Sequence, residues 1–166
     1  MWKKQIMYLK MFLIVVISIL IFVLLFGKEN LFIGLAAVIT VTTMFGEDYT
    51  INPIHHTLYF IGVELFVGLG AYFAGLNPIL GAIMTLIVSF FIYFAFTYDT
   101  KPTKALGFIQ LYLFLLYEPV TTSELPKRVF ALIFGGIVIM TLYYTLARYN
   151  FNNIFNKSIK GCINSL

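Results

Sequence analysis

Charged residues are scarce in this chain. Asp, Glu, Lys and Arg make up 11% of its 166 residues, and hydrophobic residues make up 61%. A soluble domain needs more charge than this to cover its surface, so the composition excludes a soluble fold and indicates a protein of the lipid bilayer. The alternation of apolar and polar residues that is typical of a membrane β-barrel is also missing.

Other absences narrow the function. Cys162 is the only cysteine, which excludes a disulfide within the chain. The net charge of +4 comes mostly from the ends and short loops, and no basic stripe with interleaved aromatic residues indicates nucleic-acid binding. There is no nucleophile elbow, phosphate loop, dinucleotide fingerprint or HExxH motif. We therefore expect no enzyme, no cofactor and no metal.

Six apolar runs, separated by charged residues and prolines, predict an all-α membrane protein, because unpaired strand edges are not tolerated in lipid. The first run resembles a signal peptide, but no small-x-small cleavage pair follows it, so we interpret it as a retained span. Residues 1–150 form the predicted transmembrane domain, and 151–166 a short polar tail in the cytoplasm. The predicted spans are Met11–Phe26, Leu31–Gly46, Thr57–Leu76, Ile79–Tyr98, Thr103–Tyr117 and Val129–Arg148.

The distribution of Lys and Arg predicts the orientation. If both termini are cytoplasmic, the inner segments hold most of these residues: Lys3, Lys4, Lys10, Lys101, Lys104, Arg148, Lys157 and Lys160. The outer segments then hold only Lys28, Lys127 and Arg128. This asymmetry follows the positive-inside rule and favours a multi-pass protein of the inner or plasma membrane, with both termini inside.

The two halves, residues 11–76 and 79–148, resemble each other in layout. Gly34 aligns with Gly107, and Gly62 with Gly135. Three spans per half is an odd number, so the halves would have opposite orientations, as in many transporters. The second span of each half is short, and paired short spans indicate a binding site at the membrane midplane, although ordinary helices with indistinct ends give the same pattern.

Glu64 lies in the middle of the third span, where a carboxylate is costly and usually faces a bundle interior or a wet cavity. It is our first candidate for a proton-carrying group; the alternative is a structural hydrogen bond between helices. Gly68, Ala71 and Gly75 follow it along the same span, and their small side chains predict close helix packing.

Further polar residues extend the candidate site. Thr40 and Thr43 in the second span, and Gln110 and Tyr112 in the fifth, are candidates to line a polar path, although threonines in membrane helices often bond to their own backbone. Lys127 and Arg128 can attract anions at the outer side or anchor the helix at the interface. His55 and His56 follow Glu47 and Asp48, but adjacent histidines on a helix lack ligand geometry, so we interpret them as interfacial, anion-attracting groups.

Three segments resemble the fusaric acid resistance family, in the same broad group as the aromatic acid exporters. They are residues 122–136 (TSELPKRVFALIFGG), 27–38 (GKENLFIGLAAV) and 52–58 (NPIHHTL). The resemblance implies a six-helix membrane domain that exports aromatic carboxylates and pairs with a second copy of itself. Because this chain stops at Leu166, it resembles a short or truncated member that lacks the cytoplasmic domain, and His55 and His56 stand where many members carry a basic residue.

Residues and resemblance together favour an export domain for small organic anions, acting as a homo-oligomer in the bilayer, with Glu64 as the proton-sensitive group. Two alternatives remain: a membrane scaffold that transports nothing, and a pore like an anion channel. An intramembrane enzyme that uses the two histidines and the neighbouring carboxylates is a remote option.

Overall fold

The computed structural model describes the backbone of residues 2–44, 49, 52–97 and 103–163, and the side chains within 12–44, 49, 52–96 and 105–145. Within these ranges the chain is all-helical, with six α-helices and no strand, which confirms the predicted fold class at this level. A short 3-10 turn, Lys28–Asn30, joins the first two helices. The helices are α1 (Trp2–Phe26), α2 (Leu31–Thr43), α3 (Pro53–Leu76), α4 (Pro78–Thr97), α5 (Thr103–Tyr117) and α6 (Leu125–Ile163).

Most helix ends lie close to the predicted ones. The helix α5 has the predicted ends, and α4 is shifted by one residue. The helix α3 begins four residues earlier than predicted, since Pro53 suits the first turn of a helix, where its missing N–H is not needed. The helices α1 and α6 extend beyond their apolar runs, because hydropathy marks the membrane segment and not the end of the helix. As a result, the predicted polar tail is helical as far as Ile163.

Among the residues whose side chains are described, three helical segments are long and apolar enough to cross a membrane: Pro53–Leu76, Pro78–Phe96 and Leu125–Thr145. Two further apolar segments are shorter, Phe12–Phe26 and Ala105–Tyr117. The helix α2 has 13 residues and is therefore roughly 20 Å long, less than a hydrocarbon core of about 30 Å. The second helix of each half is thus short, as the sequence predicts.

The helices α2 and α3 have the most extensive contacts with other helices in the described structure. The helix α2 packs against α5, α1 and α6, and α3 packs against α6, α4 and α5. Four α2 side chains, and Met44 directly after the helix, are among the most buried in the described structure. The four are Ile33, Ala36, Ala37 and Val41. By contrast, α1 and α4 expose large apolar side chains such as Leu24, Leu86 and Phe90, which suits a surface that faces lipid.

Tight turns join neighbouring helices at one end of the bundle. Gly27 ends α1 with a φ of 85°, a left-handed conformation that favours glycine, and a Cβ there would lie 2.7 Å from Glu29 Oε2. Between α3 and α4 a single residue, Asn77, turns the chain, and its side-chain oxygen accepts a hydrogen bond from the Ile79 N–H at 2.9 Å. These short connections require antiparallel neighbours.

Candidate functional site

Glu64 lies near the middle of α3 and is 1% exposed. Its Oε2 atom is buried and accepts no hydrogen bond from any part of the chain that the structure describes. Because buried polar atoms in folded proteins almost always have a partner, this oxygen is an exception that calls for an explanation. The carboxyl group is therefore the centre of the candidate site.

Two glycines of α6 make room for this carboxyl group. A Cβ added at Gly135 would overlap Glu64 Oε2 and would lie 3.1 Å from the Cγ2 of Ile33 on α2. The backbone N–H of Gly136 faces the carboxyl group. A Cβ at Gly136 would lie 3.0 Å from the backbone nitrogen and the Cα of Ile61, so α6 approaches the backbone of α3 directly. Glu64 thus lies inside a close contact between α3 and α6.

The predicted packing residues of α3 lie in different surroundings. A Cβ at Gly68 would overlap the Leu132 side chain of α6, and Ala71 is 3% exposed. Gly75 is exposed, and a Cβ there would meet only Pro119, at 3.5 Å. The contact of Gly135 and Gly136 with Glu64 and Ile61 was not predicted from the sequence. The adjacent pair of glycines within the apolar run of α6 was the signal that could have found it.

Three of the four predicted path residues, Thr40, Thr43 and Tyr112, make contacts elsewhere in the bundle. Thr40 is buried against α5, where a Cβ at Gly107 would lie 2.7 Å from the Thr40 Cα. The Thr43 hydroxyl donates a hydrogen bond to the Thr40 carbonyl at 2.8 Å, the local bond common for threonine in helices. Gln110 is half-buried on α5. A polar path that includes these residues stays a prediction.

Tyr112, the fourth of these residues, connects α5 with α4. Its hydroxyl lies 3.1 Å from Thr85 Oγ1, and the Thr85 hydroxyl is also 2.8 Å from the Gly81 carbonyl. Since a carbonyl can only accept, the Thr85 proton goes to Gly81, and Tyr112 therefore donates to Thr85. The side chain is 1% exposed, so this pair stabilises the contact between the two helices from within.

Arg128 lies at the opposite end of the bundle from His55 and is 2% exposed. Its Nε donates to the Asn30 side-chain oxygen at 3.1 Å, its Nη1 to the Glu118 carbonyl at 2.7 Å, and its Nη2 to the Glu29 carbonyl. The guanidinium group thereby ties the turn after α1 to the loop after α5. This geometry fits a structural clamp, and attraction of anions by Arg128 stays a prediction.

The neighbouring Lys127 is exposed. A Cβ at Gly27 would lie 3.2 Å from its Nζ, so the ammonium group reaches over the turn after α1. Of the two predicted anion-attracting cations at this end, Lys127 is the one whose side chain is open to solvent. Its role also stays a prediction.

His55 and His56 lie at the start of α3, beside a cavity of about 320 Å³. Their ring centroids are 5.7 Å apart, and their ring planes are inclined at 83° to each other. Glu47 and Asp48 lie outside the described residues. Within the described part of the chain, no three His, Cys, Asp or Glu side chains are grouped so that they could hold a metal ion.

Comparison with known proteins gives no relative. No family model, no curated protein and no solved structure matches the chain. The resemblance to the fusaric acid resistance family therefore rests on the three sequence segments alone.

Proposed function

We propose that this chain is a six-helix domain of the inner or plasma membrane that exports small aromatic carboxylate anions in exchange for protons. The observation that carries the proposal is the buried Glu64 carboxyl group, with an unpartnered oxygen, at the contact between α3 and α6. A carboxylate held in the middle of a membrane helix costs roughly 2.5–3.5 kcal/mol on insertion scales, and such residues mark proton and substrate pathways. A structural hydrogen bond explains the Oε2 atom less well, because no described residue donates a hydrogen bond to it.

The contact between α3 and α6 gives Glu64 a way to exchange its proton. If α6 moves away from α3, the Glu64 oxygen is uncovered, since Gly135 and Gly136 are the residues that cover it. Water that enters can then deliver or remove the proton. Substrate anions would bind between α2, α3 and α5, and the movement of α6 would couple their passage to the proton.

The packing of the helices supports opposite orientations for the two halves. Suppose that α1, α2 and α3 change places with α4, α5 and α6. The α2–α5 and α3–α6 contacts then stay the same, and the α2–α6 and α3–α5 contacts, which are both present, replace each other. The outer helices break the pattern, since α4 packs closely on α3 whereas α1 barely touches α6. We propose six membrane spans on this basis, whereas the proposed cytoplasmic termini rest on the distribution of Lys and Arg and the proposed homodimer on the family resemblance.

Flux in proteoliposomes tests the proposal. Labelled 4-hydroxybenzoate is followed with and without a pH gradient for the wild type, for Glu64→Gln and for Glu29→Gln. The last variant is the matched control, because it makes the same change at an exposed carboxylate in the turn after α1. We expect flux that the gradient drives in the wild type and in Glu29→Gln, and loss of the gradient dependence in Glu64→Gln while the protein stays folded.

Two other outcomes would lead to the alternatives. Flux that all three proteins share, without dependence on the gradient, would indicate a pore like an anion channel. A folded wild type that passes no anion would indicate a membrane scaffold. The scaffold has less structural support, because the small-residue contacts at Gly34, Gly68, Gly107, Gly135 and Gly136 are used within the chain and not left for a partner.

A further inference from the structure

A cavity of about 320 Å³ opens at the start of α3, beside the end of α4. This volume is at the lower end of the range of about 300–1,000 Å³ for small-molecule sites, which are mostly apolar with a few polar groups. Its lining consists of aromatic rings, two imidazoles and one small residue: Tyr49, His55, His56, Tyr59, Phe60, Ala95 and Phe96. The cavity lies outside the Glu64 contact.

The wall at Tyr49 is held in place by α6. The Tyr49 N–H donates a hydrogen bond to the Tyr143 hydroxyl, and the Tyr144 hydroxyl donates one to the Tyr49 carbonyl, each at 3.2 Å. The Tyr49 ring meets the rings of His56 and Phe60 edge to face, at centroid distances of 5.0 and 5.6 Å. One wall is therefore formed before any ligand arrives.

Stacked rings form the floor of the cavity. Phe60 is 1% exposed and stacks on Phe108 at 6.1 Å, and Phe108 stacks on Phe96 at 5.0 Å with an angle of 9° between the planes. Glu64 follows Phe60 by one helical turn, roughly 6 Å along α3. The floor therefore separates the cavity from the Glu64 carboxyl group, and a ligand on it lies one turn away from the proposed proton site.

The imidazoles give the cavity its polar side. His55 is exposed and His56 is half-buried, and both line the cavity at the start of α3. Imidazole N–H groups donate hydrogen bonds to anions, and they do so most strongly when the ring is protonated. Flat aromatic walls favour a planar ring, which packs face to face or edge to face against them.

We propose that this cavity is a binding site for a small planar aromatic carboxylate, with its ring on Phe60 and Phe96 and its carboxylate at His55 and His56. The proposal rests on the proposed function and adds the place where the anion is held before it passes the Phe60 floor. It accounts for the aromatic lining and for the position of the two histidines, which the Glu64 contact does not use.

Titration calorimetry on the purified full chain in detergent tests the site at one fixed pH. Benzoate is the probe, and three compounds each change one property: cyclohexanecarboxylate is not planar, benzyl alcohol is uncharged, and choline carries the opposite charge. The variant Ala95→Phe fills the cavity with a ring. The variant Ala82→Phe is its matched control, because it makes the same change at an exposed position of α4.

We expect benzoate to bind the wild type and Ala82→Phe equally and to bind Ala95→Phe about tenfold more weakly or not at all. Replacing both histidines by glutamine should weaken binding by about tenfold, and the three altered compounds should bind more weakly than benzoate. Equal binding of benzoate to Ala95→Phe and the wild type would overturn the site, and so would stronger binding of choline.

The same variants in the flux assay separate this site from the function. If the wild type transports anions and Ala95→Phe changes neither binding nor flux, the cavity is rejected and the exporter is kept. If the wild type binds benzoate but passes no anion, and Ala95→Phe abolishes the binding, the cavity is supported and the exporter is rejected. Thermal unfolding of each variant shows whether a loss of binding reflects a loss of fold.

Discussion

At the scale of single residues, the unpartnered oxygen of Glu64 lowers the stability of the bundle, because a buried polar group without a hydrogen bond loses its hydration and gains nothing. We predict that Glu64→Met, which keeps the length of the side chain and removes the carboxyl group, raises the free energy of unfolding by about 1–3 kcal/mol. Thermal unfolding in detergent measures this. A less stable Glu64→Met would mean that the carboxyl group is satisfied in the membrane protein.

Gly135 gives a second prediction, because the space for its missing side chain is filled by Glu64 Oε2. We predict that Gly135→Ala destabilises the protein by about 1–3 kcal/mol, as overpacking of a tight contact does. Gly62→Ala is the matched control: it changes a glycine of α3 with nothing within 4 Å, and there alanine should stabilise by up to about 1 kcal/mol.

Combining Gly135→Ala with Glu64→Ala shows whether the overlap with the carboxyl group is the cause. In the double variant the carboxyl group is gone, so the added methyl group should cost much less than in the wild type. If Gly135→Ala destabilises the wild type and Glu64→Ala equally, the added methyl group clashes with another residue. Ile33, which also lies close to the added Cβ, is one example.

Arg128 carries a third prediction at this scale. Lysine has one ammonium group and cannot reach Asn30, Glu29 and Glu118 together in the planar fork that the guanidinium provides. We predict that Arg128→Lys destabilises the protein by about 2–4 kcal/mol, because it leaves the buried Asn30 side-chain oxygen and two part-buried carbonyl groups with too few donors. Lys127→Arg, the reverse exchange at the exposed neighbouring position, should leave the melting temperature nearly unchanged.

At the scale of helices, the start of α6 is stabilised by a reciprocal pair. The Thr121 N–H and hydroxyl donate to Glu124 Oε2 at 3.1 and 2.8 Å, and the Glu124 N–H donates to the Thr121 carbonyl at 3.0 Å. The bond from the Thr121 backbone is the main cause that lowers the pKa of Glu124, followed by the Thr121 hydroxyl and the charges of Arg128 and Lys127.

This cap makes stability depend on pH in a defined direction. Because the pKa of Glu124 is lower in the folded state than in the unfolded state, its carboxylate stabilises the folded protein. This stabilisation is fully present above the unfolded pKa and is lost as the pH falls through the folded pKa. We predict that the wild type is more stable than Glu124→Gln near neutral pH and that this difference shrinks in acid. Thermal unfolding over a pH series measures it, and a difference that grows in acid would contradict the prediction.

The order and type of the helices could be predicted from the sequence, but the faces on which they meet could not. Apolar runs and breakers locate α4 and α5 almost to the residue. The predicted packing residue Gly68 does meet α6, at Leu132, but the contact of Gly135 and Gly136 with Glu64 and Ile61 was not predicted. A helix that is apolar all round shows no stripe that marks its buried side, and a contact depends on both helices at once.

At the scale of the whole molecule, thiol labelling tests six spans with cytoplasmic termini. In a Cys162→Ser background, single cysteines replace Lys28, Asn77, Ser123 or Lys101. We predict that a reagent that does not cross membranes labels the first three from outside intact cells, and labels the Lys101→Cys protein only after permeabilisation. If only the three long apolar helices crossed the membrane, a different set of sites would be protected from the reagent.

The clamp at Arg128 has a consequence for how the chain is made. Its guanidinium group is synthesised 98 residues after the Asn30 side chain to which it donates. At about 5–20 residues per second, the turn after α1 waits roughly 5–20 s for this donor. During that interval the Glu29 carbonyl also lacks the hydrogen bond from Arg128, so this end of the bundle can close only after the start of α6 has been made.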